Sequence, residues 1–213
     1  AGFMLQDSEW FIKGILATDV DFGFDGNMYI SDWISGWNGT GKGRIVRVSS
    51  SNQEQASGIA ELVQTGFDGR SVSDLVDLLE HADRRVRQRA QCALVERVAV
   101  EALCEKSLSS DCDVLSRIHA VWGLGQLLRK KMVDAEVILP LLADLSAEVR
   151  RNAIVILGDG HAVQAIPHLI NVLYEKDTNK CSLAEKAAAA IALGRIARYE
   201  RKSISQAVPV LKE

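Results

Sequence analysis

At 213 residues the chain has room for one domain or two small ones, and its 47% hydrophobic and 25% charged residues are the composition of a soluble globular protein with enough apolar side chains for a sizeable core. A net charge of −3 and a pI near 5.9 argue against a nucleic-acid partner, because such a surface needs a clustered basic excess. The longest apolar runs, such as Ala187–Leu193, are too short for a membrane span or a signal peptide, so direct membrane insertion is not expected.

Composition changes near residue 70. Nine of the twelve aromatic residues lie at or before Phe67, and eleven of the sixteen glycines at or before Gly69. Beyond that point Leu, Ala, Val, Glu and Arg dominate. Turn-rich aromatic sequence favours strands, and Ala/Leu/Arg-rich sequence favours helices. The expected organisation is a β segment over 1–48, a linker over 49–70 whose polar core is Ser49–Gly58, and a helical region over 71–213.

The first feature along the chain is acidic. Asp19, Asp21 and Asp25, followed by Gly26, are the candidate metal ligands, since hard cations favour clustered carboxylates. Their spacing is not that of an EF-hand and no closing glutamate follows, so Asp25-Gly26 reads more simply as a tight turn and no metal is expected. Two β-like runs come next, Met28–Trp33 and Arg44–Val48, expected to pair as an antiparallel hairpin. Phe22, Trp33, Trp37 and Phe67 are expected to dock it. The intervening loop GWNGTGKG, Gly36–Gly43, approaches a P-loop but ends in Gly43 where Ser or Thr should stand. It also leads into a strand instead of a helix, so nucleotide binding is not expected.

The helical region repeats itself. The segments VRQRAQCAL, SRIHAVWGLG, VRRNAIVILG and EKAAAAIALG align on Ala90, Ala120, Ala153 and Ala189, with Leu94, Leu124, Leu157 and Leu193 four residues later. Alanine and leucine at this spacing share one helical face, the alanine allowing close approach and the leucine filling the gap. Gly125, Gly158 and Gly194 follow three of these leucines and are expected to end their helices. An apolar segment precedes each aligned one, so the unit is a helical hairpin. Asp83 is placed to cap the helix after it, and Ser182-x-x-Glu185 is a capping box. Pro167 and Pro209 fall near first-helix starts, whereas Pro140 is out of that register and should shorten or kink its helix. Cys92, Cys104, Cys112 and Cys181 contain no CxxC pair and read as ordinary part-buried thiols.

His119 and Trp122 share one helix. No second histidine lies a turn away, so helix packing or inter-repeat hydrogen bonding is expected over metal ligation. Arg84, Arg85, Arg87, Arg89, Arg150 and Arg151 are the basic clusters. Asp83, Glu80, Glu148 and Asp144 interleave them, which points to ion pairs at the surface and between repeats. Arg84, Arg87, Arg150 and Arg151 are the candidate interaction surface. No catalytic constellation can be argued from spacing.

The pattern apolar-Leu-x(6)-Val-Arg-x-x-Ala-x(3)-Leu-Gly resembles HEAT repeats, especially the short kind of bilin-lyase-type proteins. The resemblance implies a mainly α chain, a right-handed α-solenoid of about four HEAT-like hairpins with a short N-terminal antiparallel β segment. The AVPVLKE ending looks like the first helix of a fifth repeat, so the natural protein is expected to continue.

The phrase DxxFxxDGxxYxxDW, Asp19–Trp33, resembles a blade of the six-bladed propellers of sugar and sorbosone dehydrogenases. Together with GxGKGRIxRV, HxDxRVRxxAQ and RxHAxWGLG, it is similar to predicted membrane-bound dehydrogenase-type proteins. In these a sugar-dehydrogenase-like propeller precedes HEAT repeats and a c-type haem domain often follows. That resemblance makes the β segment a propeller remnant. It implies a quinone and c-type haem in a longer parent, with Asp32 facing the propeller channel, and an exported, periplasmic or membrane-associated setting.

With about one blade and no CxxCH, no cofactor is expected in this chain, and by itself it is expected not to catalyse. The leading expectation is therefore an interaction or scaffold module whose partner is a protein or an adjoining domain of the same polypeptide. The alternatives are a part of a quinone-dependent sugar or alcohol dehydrogenase-like oxidoreductase, or a bilin-lyase-like HEAT enzyme.

Overall fold

The structure is a computed structural model that describes residues 5–23, 25–34, 41–49, 53–177 and 180–199, with backbone alone over 53–57. Trp37, most of the Gly36–Gly43 loop and the AVPVLKE segment lie outside the described residues. The chain is mainly helical with a small antiparallel sheet, and it divides into two compact units at Gly66/Phe67.

In the first unit, strands β1 (Ala17–Phe22), β2 (Met28–Asp32) and β3 (Arg44–Val48) form a three-stranded antiparallel sheet in the order β1-β2-β3. The β2–β3 pairing is the expected hairpin, and β1 is the strand implied by a turn at Asp25-Gly26, for which the sequence reading gave no bounds. Its reason is period-2 alternation. The register Val20↔Ile30↔Val46 and Phe22↔Met28↔Val48 gathers six apolar side chains on one face. Asp19↔Ser31↔Ile45 and Asp21↔Tyr29↔Arg47 occupy the other. Asp25 and Gly26 form the turn joining β1 to β2, with Gly26 at φ 75°.

Helix α1 (Gln53–Thr65) occupies much of the segment read as a linker. The reading missed Ile59, Leu62 and Val63, whose i, i+3, i+4 spacing is helical and which are half-buried. Gly66 at φ 77° follows its C-terminus.

The second unit begins with α2 (Val72–Leu78) and α3 (Arg84–Glu96), then α4 (Val100–Leu108) and α5 (Val114–Arg129). A 3-10 segment, Leu139–Ala143, stands before α6 (Ala147–Asp159). Last come α7 (Ile166–Tyr174) and α8 (Leu183–Tyr199). Helices α3, α5, α6 and α8 each pack on the apolar segment before them and on one another in sequence order.

The caps agree with the sequence. Asp83 Oδ1 accepts the Arg85 N–H at 2.7 Å, and Ser182 with Glu185 closes a capping box. Pro140 opens the Leu139–Ala143 segment, which stays a short 3-10 turn, and Pro167 sits in the first turn of α7. Ala90, Ala120, Ala153 and Ala189 and their four leucines are all fully buried. The cysteines are unbridged. No helix among the described residues is long and apolar enough to cross a membrane.

The expectation that Gly125, Gly158 and Gly194 end their helices is overturned. All three lie inside α5, α6 and α8, and none has a positive φ. Their role is close approach. A Cβ on Gly125 would stand 2.7 Å from Ile156 of α6, and one on Gly158 would stand 2.6 Å from the Ala192 backbone of α8. Each glycine thus meets the residue two before the next glycine in the series. Gly194 meets nothing within 4 Å among the described residues.

Helices α3, α5 and α6 end in Schellman motifs on Val98, Lys131 and His161, with φ between 53° and 57°. The N–H groups of Ala99, Met132 and Ala162 reach the carbonyls of Leu94, Leu127 and Leu157.

Candidate functional site

Most of the charged side chains singled out by sequence are spent inside the helical unit. Three residues before each aligned alanine stands a base: Arg87, Arg117, Arg150 or Lys186. Each ties down the chain just before its own helix. Arg87 Nη1 donates to the His81 and Ala82 carbonyls at 2.7 Å, and Arg117 to the Ser107 carbonyl. Arg150 Nη1 donates to the carbonyls of Asp144 and Leu145, and Lys186 to that of Glu175.

Arg117 and Arg150 also reach one hairpin onward, to Asp144 and, at 2.6 Å, to Glu185. Burial pushes the Glu185 carboxyl up, but the bonds from Arg150 and Ser182 outweigh it and hold it below the usual range. Arg87 and Arg150 are therefore structural ties, whereas Arg84 and Arg151 are exposed. Arg117 and Lys186 were missed, although their register to the alanines was legible.

The acidic candidates do not converge. Asp19 and Asp21 each accept the N–H of the following residue. Asp25 accepts from Asn27 and the Tyr29 hydroxyl, in that order the main causes that hold its carboxyl low. Among the described residues no group of three His, Cys, Asp or Glu side chains is placed to hold a metal. Asp32 is buried and fully engaged. It accepts from the N–H groups of Leu16 and Ile34, and Arg44 Nε donates to it at 2.6 Å. Phe22 and Trp33, two of the expected docking residues, are about half exposed, whereas Phe67 is buried.

Two depressions of the helical unit compare directly. The larger, about 610 Å³, opens where Pro140 shortens the first helix, between that 3-10 turn and α7. Its charged lining comprises the Arg150–Glu185 pair, already satisfied, with Glu136, Glu175 and Lys180. The other is a groove of about 440 Å³ along α3, α5 and α6, with Arg84 and Gln88 at one end, His119 and Trp122 in the middle and Arg129 beyond.

The groove is rigidly built. Trp122 Nε1 donates to Asn152 Oδ1 at 2.8 Å, and Asn152 Nδ2 donates to the Glu148 carbonyl. His119 Nδ1 lies 2.8 Å from Gln91 Oε1, and its ring stands edge-on to the indole at 4.9 Å. Thus His119 makes a hydrogen bond between helices α5 and α3. Burial, then the Arg87 and Arg84 charges, lower its pKa to about 4, so it is neutral near pH 7.

With its N–H spent, the indole is still 41% exposed. Arg84 and Arg129 flank it and make no ion pair among the described residues. A third depression, of about 500 Å³, shares Arg129 and Asp159 with the groove and adds Arg195 and Arg198. The sequence offered Trp122 only as a packing residue. The exposure of its face, and the part played by Arg129, depend on how α3, α5 and α6 abut.

No protein-family model matches the chain, and no curated protein matches it.

Proposed function

We propose that residues 71–213 form a right-handed α-solenoid of HEAT-type hairpins that works as a docking module for a protein segment or an adjoining domain. The repeat reading is supported by the recurrence of one contact set: a glycine against the next helix, a base tied to the preceding turn, a buried Ala-x3-Leu pair. The three antiparallel strands, connected in sequence order, suit our reading of the first unit as part of a propeller blade.

The observation that carries the function is the exposed Trp122 face in a pre-formed groove. An indole locked by Asn152 loses little entropy on contact, and Trp and Arg are the side chains that most often dominate protein interfaces.

Photo-crosslinking tests this. The full chain carrying Gln126→p-benzoylphenylalanine should crosslink to a defined polypeptide, and Trp122→Ala in the same chain should abolish the product. Equal crosslinking from position 145, where Leu145 is 93% exposed, would overturn the assignment of the groove. Quinone-dependent oxidation of a sugar or alcohol by the purified chain would overturn the non-catalytic reading.

A further inference from the structure

Four arginines line the groove and its continuation, Arg84, Arg129, Arg195 and Arg198, against one acid, Asp159. Asp159 is already paired with Arg195. The chain as a whole is net negative at −3, so this stripe runs against the average charge of the molecule. Its exposed aromatic faces are Trp122 and, in the continuation, Tyr199, which stacks on His161; Val155 and Ile156 line the groove, and Gln88 and Gln126 supply amide groups.

We propose that this surface takes an extended acidic segment of a partner protein, one apolar or aromatic side chain lying on Trp122 and carboxylates meeting the arginines. The proposal rests on the docking-module reading and names the partner's chemistry. Guanidinium groups bind carboxylates through paired N–H donors, and complementary charge sets orientation and register.

Helical geometry adds a spacing rule. Trp122 and Arg129 are seven residues apart on α5, about 10 Å along the axis. A segment in the extended polyproline II form rises about 3.1 Å per residue and returns to the same face every three residues, so the acid that meets Arg129 stands three residues from the anchor. The motif is apolar-x-x-Glu/Asp. Further acids beyond it would face Arg195 and Arg198, which extend the stripe past Arg129.

Fluorescence anisotropy with the full 213-residue chain decides this. Three labelled probes are compared: an acidic peptide containing Phe-x-x-Glu, the same peptide with every acid changed to amide, and a single-stranded oligonucleotide of equal charge. The acidic peptide should bind at least tenfold more tightly than either other probe. Arg129→Glu should remove that advantage, whereas Arg151→Glu, which alters an exposed arginine lining neither depression, should leave it intact.

Equal binding of the amide peptide, or indifference to Arg129→Glu, overturns the proposal. Equal or tighter binding of the oligonucleotide overturns it in favour of a nucleic-acid surface. If Gln126 crosslinks a polypeptide while the acidic peptide fails to bind, the docking module stands and its acidic specificity falls.

Discussion

The two units bury their residues very differently. Among the described residues of the first, only Ile30 and Asp32 are buried, while Val20, Phe22, Trp33 and Ile45 stay about half exposed or more. In the second unit the aligned alanines and leucines of α3, α5, α6 and α8 are all fully buried. A three-stranded sheet offers one apolar face and needs a partner layer to cover it. Helices α3, α5, α6 and α8 pack on one another in sequence order, so each adds core to its neighbour. The difference shows that an apolar pattern gives stability only where the next element along the chain is shaped to receive it.

The largest effect should come from breaking that core. Leu157→Ala is expected to lower the unfolding free energy of the helical unit by ~2–5 kcal/mol in urea titration, because the cavity has rigid walls. Ile30→Ala should leave that transition where it was. An equal loss from Ile30→Ala would abolish the contrast between the units.

Acid sharpens the contrast next. His119 titrates near 4 when folded, against about 6.5 in the unfolded chain, so the unfolded state binds more protons between these values. The stability that neutral His119 secures is complete above about pH 6.5 and is lost as pH falls towards 4, a change of ~3 kcal/mol. Glu185 acts in the same sense lower down. Its depressed folded pKa contributes stability that disappears as pH falls below the ordinary carboxylate range. Urea midpoints of the helical transition between pH 4 and 7 check this, and His119→Asn should flatten the curve above pH 5.

The smallest effect compares equivalent positions within the helical unit. Gly158→Ala forces a methyl group against the Ala192 backbone and should cost ~1–3 kcal/mol. Gly194→Ala, in the same register, meets nothing among the described residues and should gain up to about 1 kcal/mol from helix propensity. Thermal melts of the two variants moving in opposite directions would show that the glycines serve close approach. Parallel losses would return them to the role of helix ends.

Several elements were legible because their signals are local. Asp83, Ser182 with Glu185, Pro140 and Pro167 act within a turn of where they stand. The Ala-x3-Leu register marks a buried face without reference to what buries it. Strand β1 was legible too, since Asp19-Val20-Asp21-Phe22 alternates ahead of the Asp25-Gly26 turn. Helix α1 was overlooked because polar residues surround its short apolar stripe.

By itself the sequence determined where helices begin, which faces are apolar and that the pattern recurs, for these follow from backbone geometry and side-chain size along a few residues. Only the tertiary structure decided which arginines were consumed. Arg87 and Arg150 sit at one register and find carbonyls and Glu185, while Arg84, a turn away, finds open solvent. It also turned three glycines from helix ends into contact points and left one face of Trp122 bare. The physical reason is distance. Arg87 is spent on nearby carbonyls, but whether Arg150 meets a carboxylate, or how the Trp122 ring is held, depends on residues 30 to 35 positions away, brought within reach only when neighbouring hairpins pack.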